Sequence, residues 1–384
     1  MRVAFDLTIP ARAITGVGVY ARQLLSHLRR RDLEIVAWEH PMGPSGGGRA
    51  RVANALRLLA WLERQVACRV RREGVTVYHA ATSIGPLRTP CPRVMTVHDA
   101  TLLTMRSQYG RLDRFYHRIF SVLAARRAAA VIVHSQVARE DVARVYRIPP
   151  GRLYAVPLGV SPAFRPVPKV ERSAVLEHYG LCRPYVLVVG AEPPRKNLAR
   201  LIEAYARLPR RGPARAAELV LVGPPEPIDG TVDGLVTRLG LDGRVRRLGP
   251  VARDELPAIY SGAACLAYPS LAEGFGLPVL EAMACGTPVL TSKRSSMAEV
   301  AGDAALLVDP RCVGAIAEGL LRLVEDGPFV ADLVARGRAR AAAFTWERTA
   351  EATEAVYRRV ARGDRGPTHS PTRESPFRAR SVSD

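Results

Sequence analysis

A chain of 384 residues, 48% hydrophobic and 24% charged, is long enough for two domains, each with a core of its own. No apolar run approaches the roughly 20 residues that cross a bilayer, and the opening MRVAFDLTIP reads as a strand rather than a signal peptide, so a membrane-embedded or secreted chain is not expected and a cytoplasmic one is. Fifty-six Lys and Arg against 36 Asp and Glu give a net charge of +20, a field that attracts anions; the excess is mostly scattered arginine in an Ala-rich chain, so charge alone selects no partner.

In chain order, apolar runs of strand length alternate with helical patterns, the rhythm of a parallel-sheet α/β protein. Strands are expected at Val3–Leu7, Leu33–Trp38, Val75–His79, Arg93–His98 and Ala130–His134. Helices are expected near Gly18–Arg29, Arg51–Arg71, Arg111–Arg127 and Gln136–Tyr146, with Gly43–Gly48 a flexible loop. Prolines 157, 162, 166 and 168 suit neither helix nor sheet and mark a linker. The rhythm then restarts with strands at Tyr185–Val189, Ala217–Val222, Val245–Leu248, Ala264–Tyr268 and Pro288–Thr291, and a sixth at Ala305–Val308. After Ala361 little can be buried, and a disordered tail is expected. The six cysteines form no C-x-x-C pair and are expected to be buried, reduced thiols.

Two constellations in the second half carry chemistry. The strand YVLVVG ends at Gly190, AEPPRKN follows, and a helical stripe Leu198, Leu201, Ile202, Tyr205 and Leu208 begins, with Asn197 at its N-cap. Arg195 and Lys196 then stand at a helix N-terminus on the C-terminal edge of a parallel strand. Cations there disfavour the helix but favour an incoming diphosphate. The alternative is a solvated basic turn. In AYPSLAEGFGLPVLEAMACGTPVL a strand ends at Tyr268, a loop holds Glu273, Gly274, Phe275 and Gly276, and Pro278 opens a helix with Leu280, Met283 and Ala284 buried. Glu281 is expected in the first turn. Carboxylates accept sugar and ribose hydroxyls well, and glycines let backbone N–H groups approach a ligand. By itself, Glu281 could simply complement the helix dipole.

The spacing Glu273-x7-Glu281 within EGFGLPVLEAMACGTPV resembles the signature of retaining glycosyltransferases of family 4, whose GT-B fold sets two Rossmann-like parallel-sheet domains across a cleft. EPPRKNL, VGPP at 222–225, RRLGPV at 246–251, DELPAIYSGA at 254–263 and TSKRSSMAEVAGDAALLVDP at 291–310 also resemble family segments, the last close to bacterial mannosyltransferase-like members. The resemblance covers roughly residues 1–360. It implies an N-terminal acceptor-side domain at 1–165, a donor domain at 166–345, a helix at 346–362 crossing back to the first domain, and the tail at 363–384. Arg195 and Lys196 would hold the donor diphosphate. Glu281 would bind the ribose. Glu273 with Gly274, Phe275, Gly276 and Leu277 would hold the donor sugar. Where many members carry arginine after the strand-end glycine, this chain has Ala191, and Arg195 would take that charge.

The resemblance also draws in the N-terminal half. TGVGVYARQL opens a helix, and Gly16, Gly18 and Tyr20 match a loop that faces the cleft and receives acceptor or phosphate. TVHDAT delivers His98 and Asp99 to a strand end, the histidine implied to lie against the donor sugar; together with Glu273 they are the catalytic candidates. Ser135 is read as a helix cap. The implied reaction is transfer of a sugar, mannose being one candidate, from a GDP- or UDP-linked donor to a glycan or lipid-linked acceptor, with retention of the α configuration. No further cofactor is expected. With no D-x-D and no close-spaced histidine pair in the chain, no metal is expected either, the diphosphate being neutralised by protein cations.

Two other readings exist. Gly16-Val-Gly18-Val-Tyr-Ala21 formally matches the G-x-G-x-x-A fingerprint of NAD-dependent oxidoreductases, but Thr8–Thr15 separates it from its strand. A nucleic-acid-binding protein would use the charge and the basic helix 51–72, yet only 6% of residues are aromatic, so no nucleic-acid partner is expected. That amphipathic helix could touch a membrane or an anionic acceptor, a solvated surface helix being the preferred reading.

Overall fold

The computed structural model describes residues 1–8, 16–39, 54, 57–104, 117–190, 194–209, 217–223 and 231–364. The expected loop Gly43–Gly48, Ala191 and all but the first two residues of the expected tail lie outside them. The chain divides into two units, Met1–Gly159 with the segment from Trp346, and Val160–Thr345. The changeover at Gly159 falls inside the proline-rich stretch.

The first unit holds six parallel strands, β1 (Arg2–Asp6), β2 (Glu34–Trp38), β3 (Val77–Ala80), β4 (Arg93–Thr96), β5 (Ala130–Val133) and β6 (Leu153–Ala155), in the order β2-β1-β3-β4-β5-β6. β3, β4 and β5 are buried throughout, as strands covered on both faces must be. β6 is absent from the sequence reading: three residues between Pro149–Pro150 and Pro157 show no strand periodicity, and pairing with β5 alone makes them a strand. The helix Gly16–Leu28 begins two residues before its expected start. Gln136–Tyr146 matches its expected bounds and is capped by Ser135, whose hydroxyl accepts from the Ala138 N–H at 3.0 Å. The basic helix resolves into a wide π-type turn, Trp61–Gln65, and the α-helix Val66–Arg72. Its apolar residues Trp61, Leu62, Val66 and Val70 pack in the core with Trp38 and Tyr78.

The C-terminal helix Trp346–Ala361 belongs to the first unit by its bonds. Tyr357 meets His79, Glu354 pairs with Arg31, and the Thr349 hydroxyl donates to the Pro157 carbonyl at 2.8 Å.

The second unit repeats the architecture with β7 (Tyr185–Val189), β8 (Glu218–Val222), β9 (Val245–Gly249), β10 (Cys265–Tyr268), β11 (Val289–Ser292) and β12 (Leu306–Val308), all parallel, ordered β12-β11-β10-β7-β8-β9. The predicted stripe Leu198, Leu201, Ile202, Tyr205 and Leu208 is buried against Leu219, Ala267, Leu290, Ile316 and Leu320. Strand order reverses between β7 and β10. Connections leave in opposite directions there, which opens a crevice at the carboxyl ends, the place where open α/β sheets bind ligands.

The thiols differ from expectation. Cys265 and Cys285 are buried, Cys91 is half-buried, and Cys68, Cys182 and Cys312 are exposed, all six free. Apolar neighbours in sequence did not bury the last three: Cys68 is on the exposed side of its helix, Cys182 lies in a connection, and Cys312 caps the helix Val313–Glu325. Among the described residues no helix is long and apolar enough to cross a membrane.

Candidate active site

β7 and β10 flank the switch point of the second unit, and the loops leaving them carry the predicted cations and the first predicted carboxylate. β7 ends at Gly190, whose φ of +124° suits glycine; a Cβ there would stand 3.3 Å from the Lys196 side chain. The single 3₁₀ turn Pro194–Lys196 follows, then the helix Leu198–Ala206. Asn197 occupies the cap position but does not cap. Its backbone is left-handed (φ 63°) and its side-chain amide donates to the carbonyls of Pro269 and Pro310 at 3.1 and 2.5 Å, tying the β7 loop to those after β10 and β12. The Leu271 N–H donates to the Arg195 carbonyl at 2.8 Å and completes the tie.

These ties bring Arg195, Lys196, Tyr268 and Glu273 together. The Glu273 carboxylate receives Lys196 Nζ at 2.8 Å on Oε1 and Arg195 Nη1 on Oε2. The Tyr268 hydroxyl accepts from Lys196 and donates to Glu273 Oε1 at 3.1 Å, and Lys196 Nζ stands 4.2 Å from the centre of the Tyr268 ring. Burial alone would raise the Glu273 carboxyl, but the charges of Lys196 and Arg195 more than reverse it and hold it below its ordinary value. Burial and the same carboxylate push the Tyr268 phenol up.

The backbone around Glu273 is held by Ser295 and Ser296, which sequence reasoning missed. The Glu273 N–H donates to Ser295 Oγ at 3.3 Å. The buried Ser296 hydroxyl lies 2.7 and 3.1 Å from the carbonyls of Glu273 and Phe275. Ser295 holds a φ of 56° without being glycine, a backbone cost of the kind found where loops serve a site. Gly276 begins the next helix with φ 107°, and a Cβ on it would lie 2.3 Å from Met297 Cε.

Glu281 is not in the first turn. The helix spans Leu277–Ala284, Pro278 is its second residue, and Glu281 stands one turn in, 4% exposed. The helix is buried on nearly all sides, including Val279 and Ala282, while the expected Ala284 is only half-buried. Glu281 accepts from Arg253 Nη2 at 2.8 Å and from the Tyr260 hydroxyl at 3.1 Å. Arg253, also missed, stacks 5.0 Å from the Phe164 ring. The two carboxylates thus have separate partners, Glu273 two cations and a phenol, Glu281 one arginine and a phenol.

In the first unit, β4 leads to His98 and β5 to His134. His98 Nε2 lies 3.1 Å from the Ala81 carbonyl, and its Nδ1 lies 3.0 Å from His134 Nε2; His134 Nδ1 faces the Val156 carbonyl at 3.2 Å. This is a close histidine pair that linear spacing hid, the two being 36 positions apart. Behind it, His79 Nδ1 meets the Tyr357 hydroxyl at 2.5 Å and its Nε2 the Thr96 hydroxyl at 2.8 Å. Burial lowers all three histidines, His79 to about 3. Tyr20 is turned into this cluster, 1% exposed, bonded to Thr96 and edge-on to His98 at 5.1 Å. Gly18 is also buried, so of the three expected loop residues only Gly16 is exposed. Asp99 Oδ1 accepts the Thr101 N–H and hydroxyl at 2.9 and 2.5 Å, at the start of the short helix Thr101–Thr104.

Two Rossmann-like sheets, one with a cation pair at the carboxyl ends of its strands beside the switch point, form the class of α/β architecture whose crevice suits a phosphorylated or nucleotide-linked ligand. The Glycosyltransferase Family 4 model matches residues 14–164, and that of glycosyl transferases group 1 matches 181–340. The chain is 31% identical over 382 residues to O-antigen chain mannosyltransferase B of Escherichia coli, covering 93% of this chain and all of that one. It is 32% identical over 241 residues to MMP alpha-(1->4)-mannosyltransferase of Mycolicibacterium hassiacum, 62% of this chain and 55% of that one. Among solved structures it resembles sucrose-phosphate synthase from Thermosynechococcus elongatus (TM-score 0.76, 22% identity, 95% and 100% coverage) and Anabaena Alr3699/HepE in complex with UDP-glucose (0.72, 20%, 94% and 100%). The chain belongs to glycosyltransferase family 4 and has the GT-B fold; it is a glycosyltransferase, and the oxidoreductase and nucleic-acid-binding readings fall away.

Proposed function

We propose that the chain moves a mannosyl group from a GDP- or UDP-linked donor to a glycan or lipid-linked acceptor, with retention of the α configuration, on the cytoplasmic side of the membrane. The observation that carries this is Arg195 and Lys196 converging on Glu273 at the switch point of the second unit. The sugar is supported by the mannosyltransferase names of its relatives.

In this reading the donor diphosphate takes the cations, displacing Glu273 from them. The freed carboxylate accepts sugar hydroxyls, beside the backbone of Gly274, Phe275, Gly276 and Leu277. Glu281 accepts the ribose hydroxyls, with Arg253 and Tyr260 holding it in place. As the anomeric bond to the diphosphate breaks, negative charge grows on the leaving oxygen, and Arg195 and Lys196 stabilise it without a metal. The acceptor hydroxyl attacks from the same face and gives its proton to the leaving phosphate. No carboxylate nucleophile is assigned; Asp99 Oδ1 already accepts two bonds from Thr101. In the first unit, His98, held in orientation by His134, is the remaining catalytic candidate, and Gly16 is assigned to the acceptor.

A donor screen tests this. Consumption of GDP-mannose, UDP-glucose and UDP-N-acetylglucosamine is scored alongside melting temperature with GDP, UDP, NAD and single-stranded DNA. Turnover of a mannosyl donor, with stabilisation by its nucleoside diphosphate alone, is expected. Turnover confined to a different sugar overturns the mannose assignment. No turnover of any donor overturns the site reading.

A further inference from the structure

The first unit has a second charged feature, on the edge of its sheet opposite His98. The N-terminal ends of β4, β5 and β6 open onto a cavity of about 870 Å³ whose lining includes Arg88, Arg93, Arg127 and Arg152, with Asp364 the one carboxylate among the lining residues. Arg93, the first residue of β4, is 4% exposed. One of its Nη groups donates to the Ala124 carbonyl at 3.1 Å, and its buried Nε has no hydrogen-bond partner. Arg152 donates to the carbonyls of Arg126 and Ala128 at 2.8 and 3.3 Å. Arg88 and Arg127 are exposed. Among the described residues, none of the four arginines has a carboxylate within ion-pair distance. Burial lowers Arg93 most; Tyr78 and Glu63 oppose that in part, and the like charge of Arg127 adds to it.

The ends of the helices Val122–Arg127 and Gln136–Tyr146 reach this edge, and helix C-termini attract cations, which accounts for part of the cluster. Each such end is worth about half a negative charge. Two helix ends, Asp364 and Glu63, which holds the lining residue Leu87 and acts on Arg93, therefore leave about one positive charge unbalanced beside a nearly fully buried guanidinium. A buried charge without a counter-ion is strongly disfavoured, and an arginine fork matches phosphate oxygens. A phosphomonoester carries close to two negative charges at neutral pH.

We propose that this cavity is an accessory site for a phosphate-class anion, distinct from the donor site of the second unit. The anion is supplied either by a free phosphorylated solute or by the phosphomonoester headgroup of a lipid. Arg93 is the fixed charge at its base, Arg152 is oriented by its two carbonyls, and Arg88 and Arg127 close over the ligand.

Equilibrium dialysis with inorganic pyrophosphate tests it on the full chain, comparing wild type, the Arg88→Ala/Arg127→Ala double variant and Lys196→Ala. Both substituted arginines are exposed, and a melting curve checks that the double variant folds. The expected result is a loss of about tenfold or more in affinity for one site in the double variant, with that site intact in Lys196→Ala. Co-sedimentation with phosphatidylcholine vesicles, with and without phosphatidic acid, separates the sources. Recruitment by phosphatidic acid that the double variant loses assigns the headgroup; pyrophosphate binding without recruitment assigns the free solute. Equal binding by wild type and double variant in both assays overturns the site, as does wild type binding neither probe. Arg93→Met gives a second readout: it should abolish the pyrophosphate-dependent rise in melting temperature that survives in Lys196→Ala, and persistence of that rise overturns the role of Arg93.

Discussion

Lys196 and Arg195 share one carboxylate, and that sharing sets what each substitution should do. Lys196→Ala removes a charge-assisted contact to the leaving diphosphate and should cost on the order of 10²–10³ in kcat. Near-wild-type turnover in a folded variant would refute its role. Glu273→Gln removes the group that competes with the diphosphate for both cations. It should lower kcat, because a sugar contact is weakened, while affinity for the bare nucleoside diphosphate holds or rises. Glu281→Gln should do the reverse, weakening the bare nucleotide, with a cost of about 1–3 kcal/mol from its buried bonds to Arg253 and Tyr260. Calorimetry with GDP and UDP beside steady-state kinetics separates the two, and equal weakening of nucleotide binding by both variants would contradict the division of labour.

At the scale of elements, the donor loop is a backbone construction. Gly276 turns the chain with φ 107° into the helix Leu277–Ala284, and its missing Cβ makes room for Met297. Gly276→Ala combines left-handed strain with overpacking and should destabilise by on the order of 2–4 kcal/mol. Ser296→Ala leaves the carbonyls of Glu273 and Phe275 without their shared donor. Its effect should appear in kcat more than in melting temperature, since the loop loses position while the core is untouched. A Gly276→Ala melting temperature equal to wild type, or Ser296→Ala with unchanged kcat, would show that the loop does not need this support.

For the whole molecule, two tests address stability and metal use. His79 is held at about 3 by burial, against its ordinary 6.5, so the folded chain binds fewer protons than the unfolded chain wherever the unfolded His79 is protonated. Its contribution is complete above pH 6.5 and is lost as the pH falls from there toward about 3, at a slope of about 1.4 kcal/mol per pH unit. The melting temperature should decline below pH 6.5, and His79→Gln should decline less steeply; the same slope in both would exclude His79 as the cause. Activity should survive EDTA, because Arg195 and Lys196 neutralise the leaving group. Loss on chelation, restored by Mg²⁺ or Mn²⁺, would put a metal in their place.

The sequence by itself determined the alternation of strands and helices, the family, and the short-range chemistry of the second unit. Those signals are local: Arg195 and Lys196 follow one strand, Glu273 follows another, and the glycines that shape the turns are adjacent to both. Tyr268 was also legible as the last residue of its strand, next to the loop, although its part in the cluster was not. Only the tertiary structure decided the pairings. Glu273 reaches cations 78 and 77 positions away because β7 and β10 are neighbours at the switch point, and no periodicity encodes strand order. His98 meets His134 because β4 and β5 are adjacent, and Tyr20 turns inward because its helix packs over them. β6 exists only through its partner, and the exposure of Cys68 follows from which face of its helix meets water. Hydrophobic pattern and turn chemistry act along the chain, whereas ion pairs, histidine pairs and strand neighbours are set by contacts across it.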